Sequence, residues 1–406
     1  MIRLFISVLF VAAVSNQAVA RPYPIGTGIA ASADSALTAS SNPAGISRFN
    51  ERALEFELLV FNSESEWESA FSETGAQFNS KNSGTTIVPR MAIVQPINER
   101  FAASFTFLGT GFSDDLGEWP GRYFIKRYDS IYVSAFPSLA YRIDGQWSVA
   151  ASAAITYTRF EQERAVRNIF DPGFGDGLSE TEADSFELGF GLSALYQGSD
   201  RTRWGLSYNS EVNPSRSASN ELSGLGPNTE AVMQRLGLLE RNLTIQSTSP
   251  EYITAGVYHE FGNGAAVTLD LAWINFSNFR LSEFYFDGQS FARNNSRYDD
   301  IYALSASYTW PAADRWMLGV GGLATNQMID DDQRSMTLRL DSLWSIGITA
   351  EWQWTDARRM TFGLSYFGVG DAPVATPSIP GLGSLEGKFT SRDMLLLQIG
   401  IGFASL

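Results

Sequence analysis

The sequence predicts an all-β protein, a fourteen-stranded antiparallel transmembrane β-barrel with a small N-terminal hatch inside the lumen. Three observations predict it. Apolar residues recur with a period of two along most of the chain. The gaps between these runs alternate strictly between short turns and long loops. A compact stretch of small residues, Leu37 to Ile46, precedes the first run.

In chain order, the first element is Met1-Ile2-Arg3, the apolar run Leu4 to Val14, and Ala18-Val19-Ala20. A basic start, a short apolar core and an A-x-A site make a secretory signal peptide over 1–20, cut after Ala20. The run is too short to span a bilayer as a helix. Exported chains commonly rely on disulfides, yet this one has no cysteine, so burial and hydrogen bonds must hold it. A net charge of −15 argues against nucleic acid as a partner. Mean hydropathy is only −0.09 although aromatics reach 13%. Apolar character is therefore present but dispersed, as in a barrel whose alternate residues face lipid.

The strands follow from the alternation. From Trp147, one parity reads Trp147, Val149, Ala151, Ala153, Ile155, Tyr157, and the other Ser148, Ala150, Ser152, Ala154, Thr156, Thr158. One face is greasy, the other small and polar. Trp147 and Tyr157 lie about ten residues apart, the length of a tilted strand crossing a bilayer. The form recurs in Val267–Trp273, in Met360–Tyr366 and in Leu395–Phe403. Fourteen such runs are expected near 53–63, 84–97, 99–110, 124–143, 146–160, 184–198, 201–213, 250–262, 264–279, 299–311, 314–328, 340–356, 358–370 and 388–403.

Tight turns fall at 98–99, 144–146, 198–200, 262–264, 312–313 and 355–357, and long loops at 64–83, 111–123, 161–183, 214–249, 280–298, 329–339 and 371–387. Short turns at one end and long loops at the other mark an outer-membrane barrel with periplasmic turns. Trp147, Trp204 and Trp316 each follow a short turn, where an indole suits the membrane–water boundary. An even strand number closes the sheet without a free edge.

Residues 21–50 are left over before the barrel of 51–406, and they are rich in Gly, Ala and Ser. A bore of this size has room for such a segment. Ala33 to Thr38 is expected to make a helical turn or two, stopped where Ser41-Asn42 meets Pro43. A disordered tail with an ordinary Asn-Pro turn is the alternative.

The pattern Gly26-Thr27-Gly28-Ile29-Ala30 with Asn42-Pro43-Ala44-Gly45 resembles the hatch of the FadL-type outer-membrane transporters of hydrophobic compounds. Trp119-Pro120-Gly121-Arg122-Tyr123, Pro137-Ser138-Leu139-Ala140-Tyr141-Arg142, Ser249-Pro250-Glu251 and Trp273 with Asn278-Phe279 extend the resemblance along the mature chain. It implies a barrel in the outer membrane of a Gram-negative bacterium, surrounded by lipid and lipopolysaccharide. It also implies a monomer inserted by the barrel-assembly machinery, without cofactor or metal. Long-chain fatty acids or other hydrophobic molecules would pass by diffusion. They would be captured between two long extracellular loops, held against the hatch, and released sideways where the third strand is kinked.

On that resemblance Gly26, Gly28, Asn42, Pro43 and Ala44 are the hatch and gating residues, and Gly109 and Gly111 the kink. Glycine within a strand marks a bulge or bend, or simply the strand's end. Capture falls to the longest loops. Loop 161–183 offers Ile169, Phe170 and Phe174; loop 214–249 offers Val232, Met233, Leu236 and Leu239 in a segment with helical spacing. These side chains serve equally well to cap the barrel. For a carboxylate head, Arg159 matches a family arginine at the top of the fifth strand. A second basic residue before the tenth strand is replaced by Asn294, with Arg293 and Arg297 nearby. That departure leaves aromatic or alkane cargo open. The chain also ends Phe403-Ala404-Ser405-Leu406 rather than on the family's terminal aromatic.

Other classes fit less well. An enzyme of the lipase or protease type needs a positioned histidine, and the one histidine, His259, lies near a periplasmic turn. The glycine pairs Gly26/Gly28 and Gly189/Gly191 lack the strand-to-helix context of a nucleotide site. A general porin for polar solutes needs an open, charged lumen and no hatch. A structural or adhesive barrel is compatible with the sequence.

Overall fold

Exposure alternates along the strands as the sequence alternates. Trp147, Val149 and Ile155 are exposed while Ser148, Ala150 and Thr158 are buried, and Leu269 and Leu271 are exposed around a buried Asp270. In a barrel, an exposed leucine faces lipid and a buried serine faces the bore. The computed structural model describes residues 21–404 apart from 73–79, 238, 240–242, 287–288, 293–296, 335–340, 356, 377–383 and 391–392. The signal peptide expected over 1–20, the terminal Ser405-Leu406 and Arg293 lie outside the described residues.

Fourteen described strands form the wall. They are β1 (Ala53–Ser72), β2 (Ser80–Pro96), β3 (Phe101–Asp115), β4 (Arg127–Arg142), β5 (Trp147–Val166), β6 (Gly177–Ser199) and β7 (Thr202–Asn209). The circuit continues with β8 (Tyr252–Glu260), β9 (Ala266–Ile274), β10 (Ile301–Ala313), β11 (Trp316–Thr325), β12 (Leu343–Thr355), β13 (Arg358–Val369) and β14 (Met394–Ala404). Each pairs antiparallel with its neighbours, and β14 returns to β1, with Ala53 opposite Ala404 and Ser63 opposite Met394. The ladder is thereby closed, as hydrocarbon demands. At the short-turn end Trp147 meets Tyr196 at 4.6 Å, Tyr196 meets Trp204 at 5.6 Å, and Trp316 stacks on Trp352 at 6.0 Å. These rings form an interfacial aromatic belt.

The long loops are more ordered than the sequence suggests. Much of 161–183 is strand, since β5 and β6 stay in register from Trp147 opposite Tyr196 to Val166 opposite Gly177. A strand of 20 residues rises roughly 65 Å, about twice the hydrocarbon thickness. Its upper half therefore stands outside the membrane, where lipid imposes no pattern. Likewise β1 runs on to Ser72, shorter strands at Ser215–Ser223, Leu243–Thr248, Arg280–Phe286, Gln289–Ala292 and Ala372–Ala375 occupy expected loops, and Leu385–Thr390 straddles a loop and the start expected for the last strand, which begins at Met394. The helix expected around 232–239 is instead α1, Pro227–Arg235, with proline in its first turn and Gly237 at φ 66° just beyond it. Proline's fixed φ suits a helix start and a left-handed glycine suits its end, which moves the helix toward the N-terminus. The extracellular cap has its own core. Trp119 is fully buried between Trp67 (5.5 Å) and Phe389 (5.9 Å), and its indole N–H donates to the Ile125 carbonyl at 2.6 Å.

Residues 21–49 run through the bore. Their partners come from strands all round the wall. The amides of Gly28, Ile29 and Ala30 donate to the Asp270 carboxylate at 2.8, 3.3 and 3.0 Å. The Arg203 guanidinium donates to the Ala31 carbonyl at 3.0 Å and covers the Tyr258 ring at 3.7 Å. Ala44 N–H donates to Ser193 Oγ at 2.9 Å, Ser148 Oγ donates to the Ala44 carbonyl at 3.1 Å, and Thr349 Oγ1 donates to the Pro22 carbonyl at 2.8 Å. Backbone on backbone needs glycine on the wall. A Cβ on Gly205 would lie 1.8 Å from the Ala30 carbonyl oxygen, and one on Gly319 2.1 Å from that of Pro22.

The helical turn expected at 33–38 is displaced. Ala33 sits at φ 50°, and two 3-10 turns follow, Ala36–Ser40 capped by Ser35 and Pro43–Arg48 capped by Asn42. Pro43 opens the second turn, since its missing N–H is not needed there. Asp270→Ala is expected to leave the barrel's amide protection unchanged while exchange at Gly28, Ile29 and Ala30 speeds up. Losing the acceptor of buried amides costs about 1–3 kcal/mol, roughly 5- to 150-fold in protection; hydrogen exchange in detergent checks it.

Candidate functional site

Above the segment in the bore, the inner face changes character. The sequence suggests a small, polar inner parity, and that holds near the turns. Higher up, Leu59, Phe61, Val88, Leu108, Ile274 and Leu396 point inward and form one buried cluster with Ile25 of the N-terminal segment. Phe136 and Tyr252 pack against its edge and also line a chamber of about 130 Å³. Leu108, Thr110, Tyr132 and Val212 continue that lining. Apolar walls with a few placed polar groups are the usual composition of a small-molecule pocket.

Several polar groups of the chamber are already engaged, whereas the buried Thr110 hydroxyl has no hydrogen-bond partner among the described residues. Ser134 and Thr156 share a hydrogen bond of 2.9 Å between their hydroxyls. Glu187, also on the lining, is paired with the buried Arg216, whose other nitrogens donate to Ser185 Oγ at 2.7 Å and Ser247 Oγ at 3.0 Å. Among the described residues no group of three or more His, Cys, Asp or Glu is arranged to hold a metal. His259 Nδ1 lies 2.9 Å from Thr202 Oγ1 near the short-turn end.

Beside this chamber the wall is incomplete. Described pairing of β2 with β3 runs from Pro96 opposite Ala102 to Arg90 opposite Leu108 and goes no further. Both strands continue, β2 back to Ser80 and β3 on to Asp115, and each keeps its outer neighbour. Across the break a Cβ on Gly109 would be 3.5 Å from Pro89 Cγ, ordinary contact without a ladder. Proline has no N–H to give. Asn82 and Asp114 join the strands again higher up through a side-chain hydrogen bond.

Two loops close over the cap as one unit. The Asp171 carboxylate accepts from Thr229 N–H at 2.7 Å, Asn228 N–H at 3.3 Å and Asn228 Nδ2 at 2.7 Å, capping α1 from a different loop. Asn168 Nδ2 donates to the carbonyls of Gly175 (2.6 Å) and Gly224 (3.0 Å), and its Oδ1 accepts from Gly226 N–H at 2.9 Å.

A wide closed barrel, its bore occupied from the N-terminus and its upper lumen apolar, has known counterparts. The family described as outer membrane protein transport protein (OMPP1/FadL/TodX) matches residues 7–397. The chain belongs to this OMPP1/FadL/TodX family. A long-chain fatty acid transport protein of Escherichia coli O6:H1 is 24% identical over 388 residues, 87% of this chain and 84% of its own. Among solved structures, a Pseudomonas aeruginosa FadL homologue superposes with a TM-score of 0.83 at 15% identity, covering 98% of each chain. The P. putida toluene transporter TodX superposes with a TM-score of 0.67 at 16% identity, over 94% of this chain and 96% of that one. The protein is thus an outer-membrane β-barrel of a transport family, which is not a family of enzymes.

Within this OMPP1/FadL/TodX chain the residues singled out from sequence fall in different places. Gly26 and Gly28 take φ of 91° and 68°, and Asn42 Nδ2 ties the Ala30 and Ala194 carbonyls together at 2.6 and 3.2 Å. Pro43 and Ala44 are buried in the bore. Gly109 and Gly111 pair with Val133 and Ile131 in an unbroken β3–β4 ladder, so the interruption lies on their β2 side. Phe170, Phe174 and Leu236 are exposed on the clipped loops, and Met233 and Leu239 are half-buried. Arg159 has the same parity as Trp147 and faces outward, bound to Glu161 and Glu182 at 2.7 Å each, away from the chamber. Arg297 is exposed before β10. Glu187, Arg216, Tyr132 and Tyr252 were missed; charged residues on the inward parity of a strand, as at Glu187, were the signal available.

Burial alone would raise the Asp171 pKa, but hydrogen bonds from Thr229 and Asn228 outweigh it and hold the carboxyl below the usual range. Its stabilisation of the loop pair is therefore complete above the unfolded value near 4 and lost only as pH falls through the lower folded value. Asp171→Ala is expected to remove this cap and raise exchange at Thr229 roughly fivefold at neutral pH, with wild-type protection persisting below pH 4.

Proposed function

We propose that the chain is a channel for passive uptake of hydrophobic molecules across the outer membrane. The observation that carries this reading is the meeting of the apolar chamber with an unpaired stretch of wall: Leu108 and Thr110 line the one and bound the other. A greasy solute crosses the sugar layer poorly, so Phe170, Phe174 and Leu236 on the joined loops give it a first apolar surface. It then settles in the chamber above the hatch of residues 21–50. It leaves sideways between β2 and β3, past Pro89, Gly109 and Gly111. Backbone facing hydrocarbon without partners is costly, which supports a functional reason for keeping the break. Gly26, Gly28, Asn42, Pro43 and Ala44 hold the hatch in place beneath.

The names of the relatives refer to fatty acids and to toluene, and both are candidates here. The outward Arg159 offers no head-group partner inside the chamber, which favours uncharged cargo. A general porin is disfavoured by the filled bore and the apolar upper lumen. The chain reaches the membrane after loss of residues 1–20, is inserted by the barrel-assembly machinery and works as a monomer.

The deciding experiment is uptake of labelled toluene and oleate by Gram-negative cells with and without the protein. Expression is expected to speed uptake of at least one of them. Phe136→Glu, which puts a charge in the chamber, is expected to lower it about tenfold, since burying an unpaired charge beside an apolar solute is strongly unfavourable. Deletion of residues 21–48 is expected to raise ion conductance in planar bilayers. Equal uptake with and without the protein would reject the reading.

A further inference from the structure

The wall has a second interruption, on the far side of the same chamber. Strand β6 pairs with β7 from Ser199 opposite Thr202 to Gly191 opposite Asn209. It pairs again, with Ser215–Ser223, only from Ala183 opposite Ala218 to Leu178 opposite Ser223. Between these, Asp184–Gly189 have no ladder partner on that side among the described residues. What spans the interval is Ser210 with Phe190 at the lower edge, through N–H to carbonyl (2.9 Å) and N–H to Oγ (3.0 Å), and at the upper edge Arg216, which donates to Ser185 Oγ at 2.7 Å and pairs with Glu187.

The chain that would have filled the interval turns away. Beyond Asn209, Val212 bridges to Ser249, and the Pro214 carbonyl accepts from Ser247 N–H at 3.2 Å. Gly189 keeps the interval thin: a Cβ there would come 3.0 Å from Val212 Cγ2 and 3.2 Å from Ser210 Oγ. Gly189, Ser210 and Val212 line the same chamber as Leu108 and Thr110. The interval also faces lipid. Phe186 and Leu188, on the outer side of this part of β6, are 75% and 72% exposed, the highest values among the described large apolar residues. Phe186 meets Tyr157 at 5.1 Å, ten residues above Trp147 of the periplasmic belt, which sets the level at the outer leaflet.

We propose that this interval between β6 and β7 is a second side opening, through which slender, uncharged hydrophobic molecules exchange between the chamber and the outer leaflet. It rests on the channel reading above. The charged group on the adjoining lining, Glu187, is neutralised by its ion pair with Arg216, so the described lining offers an anionic head no unpaired cation and suits uncharged solutes. With breaks on two sides, the chamber is a passage through the upper barrel rather than a pocket with one mouth.

The chain has no cysteine, so introduced pairs are unambiguous. Pro89→Cys with Gly109→Cys staples β2 to β3, and Gly189→Cys with Val212→Cys staples β6 to β7. Toluene uptake is measured in intact cells, oxidised and then reduced, so each protein serves as its own folding control. Closing β2–β3 alone is expected to lower uptake about twofold, as for two similar mouths of one pocket. Closing both is expected to bring it to the level of cells lacking the protein, with recovery on reduction. Gly189→Leu in the β2–β3-stapled protein is expected to reproduce that loss without a second disulfide. Abolition of uptake by the β2–β3 staple alone, or no further loss on closing β6–β7, would overturn the second opening and leave the channel intact. Absence of uptake by the wild-type protein would instead reject the channel itself, and this opening with it.

Discussion

Everything in this structure answers to one requirement, that a backbone N–H or C=O in hydrocarbon must have a partner. With no water to turn to, each unpaired group costs several kcal/mol. Fourteen strands meet the requirement by joining β14 to β1 along their full common length. Closure at that size creates a bore that strand side chains alone do not fill. The amino-terminal segment brings its own backbone polar groups into the space, and those must be satisfied too. Asp270, Arg203, Ser193, Ser148 and Thr349 are inward-facing side chains that do so.

The same requirement gives the interruptions their weight. Strand β3 keeps β4 along its whole length while losing β2 above Leu108, and β6 keeps β5 while losing β7 above Gly191. In each case the complete side supplies rigidity and the incomplete side lies against the apolar chamber. Proline at 89 and glycine at 109 and 189 are residues that give a sheet little, one lacking a donor and the others lacking a side chain.

The membrane-embedded part was legible because lipid writes a period of two. Trp147, Val149 and Ile155 against Ser148 and Thr158 gave face, direction and length together. That parity also contained an answer that resemblance obscured: counting by twos from Trp147 reaches Arg159, which therefore faces outward. The extracellular strands were illegible for the opposite reason. Ser215–Ser223, reading Ser-Arg-Ser-Ala-Ser-Asn-Glu-Leu-Ser, has one exposed face and an inner face of Arg216, Ala218, Asn220 and Leu222, with no greasy stripe to betray it. Asp270, lone among Val267, Leu269, Leu271 and Trp273, was visible in the sequence as an acid on the inner parity. Its partners were not, because they are amides more than 200 residues away.

The glycines opposite the N-terminal segment carry a consequence for the cell that owns this barrel. With no side chains at Gly205 and Gly319, the segment is pressed against the wall, and protein stands where a column of water would otherwise form. On the proposed channel reading, hydrated ions and water-soluble poisons would meet an insulating floor. An organism could crowd its envelope with such cylinders and still keep that envelope tight to salt, detergents and antibiotics that a water-filled pore would admit.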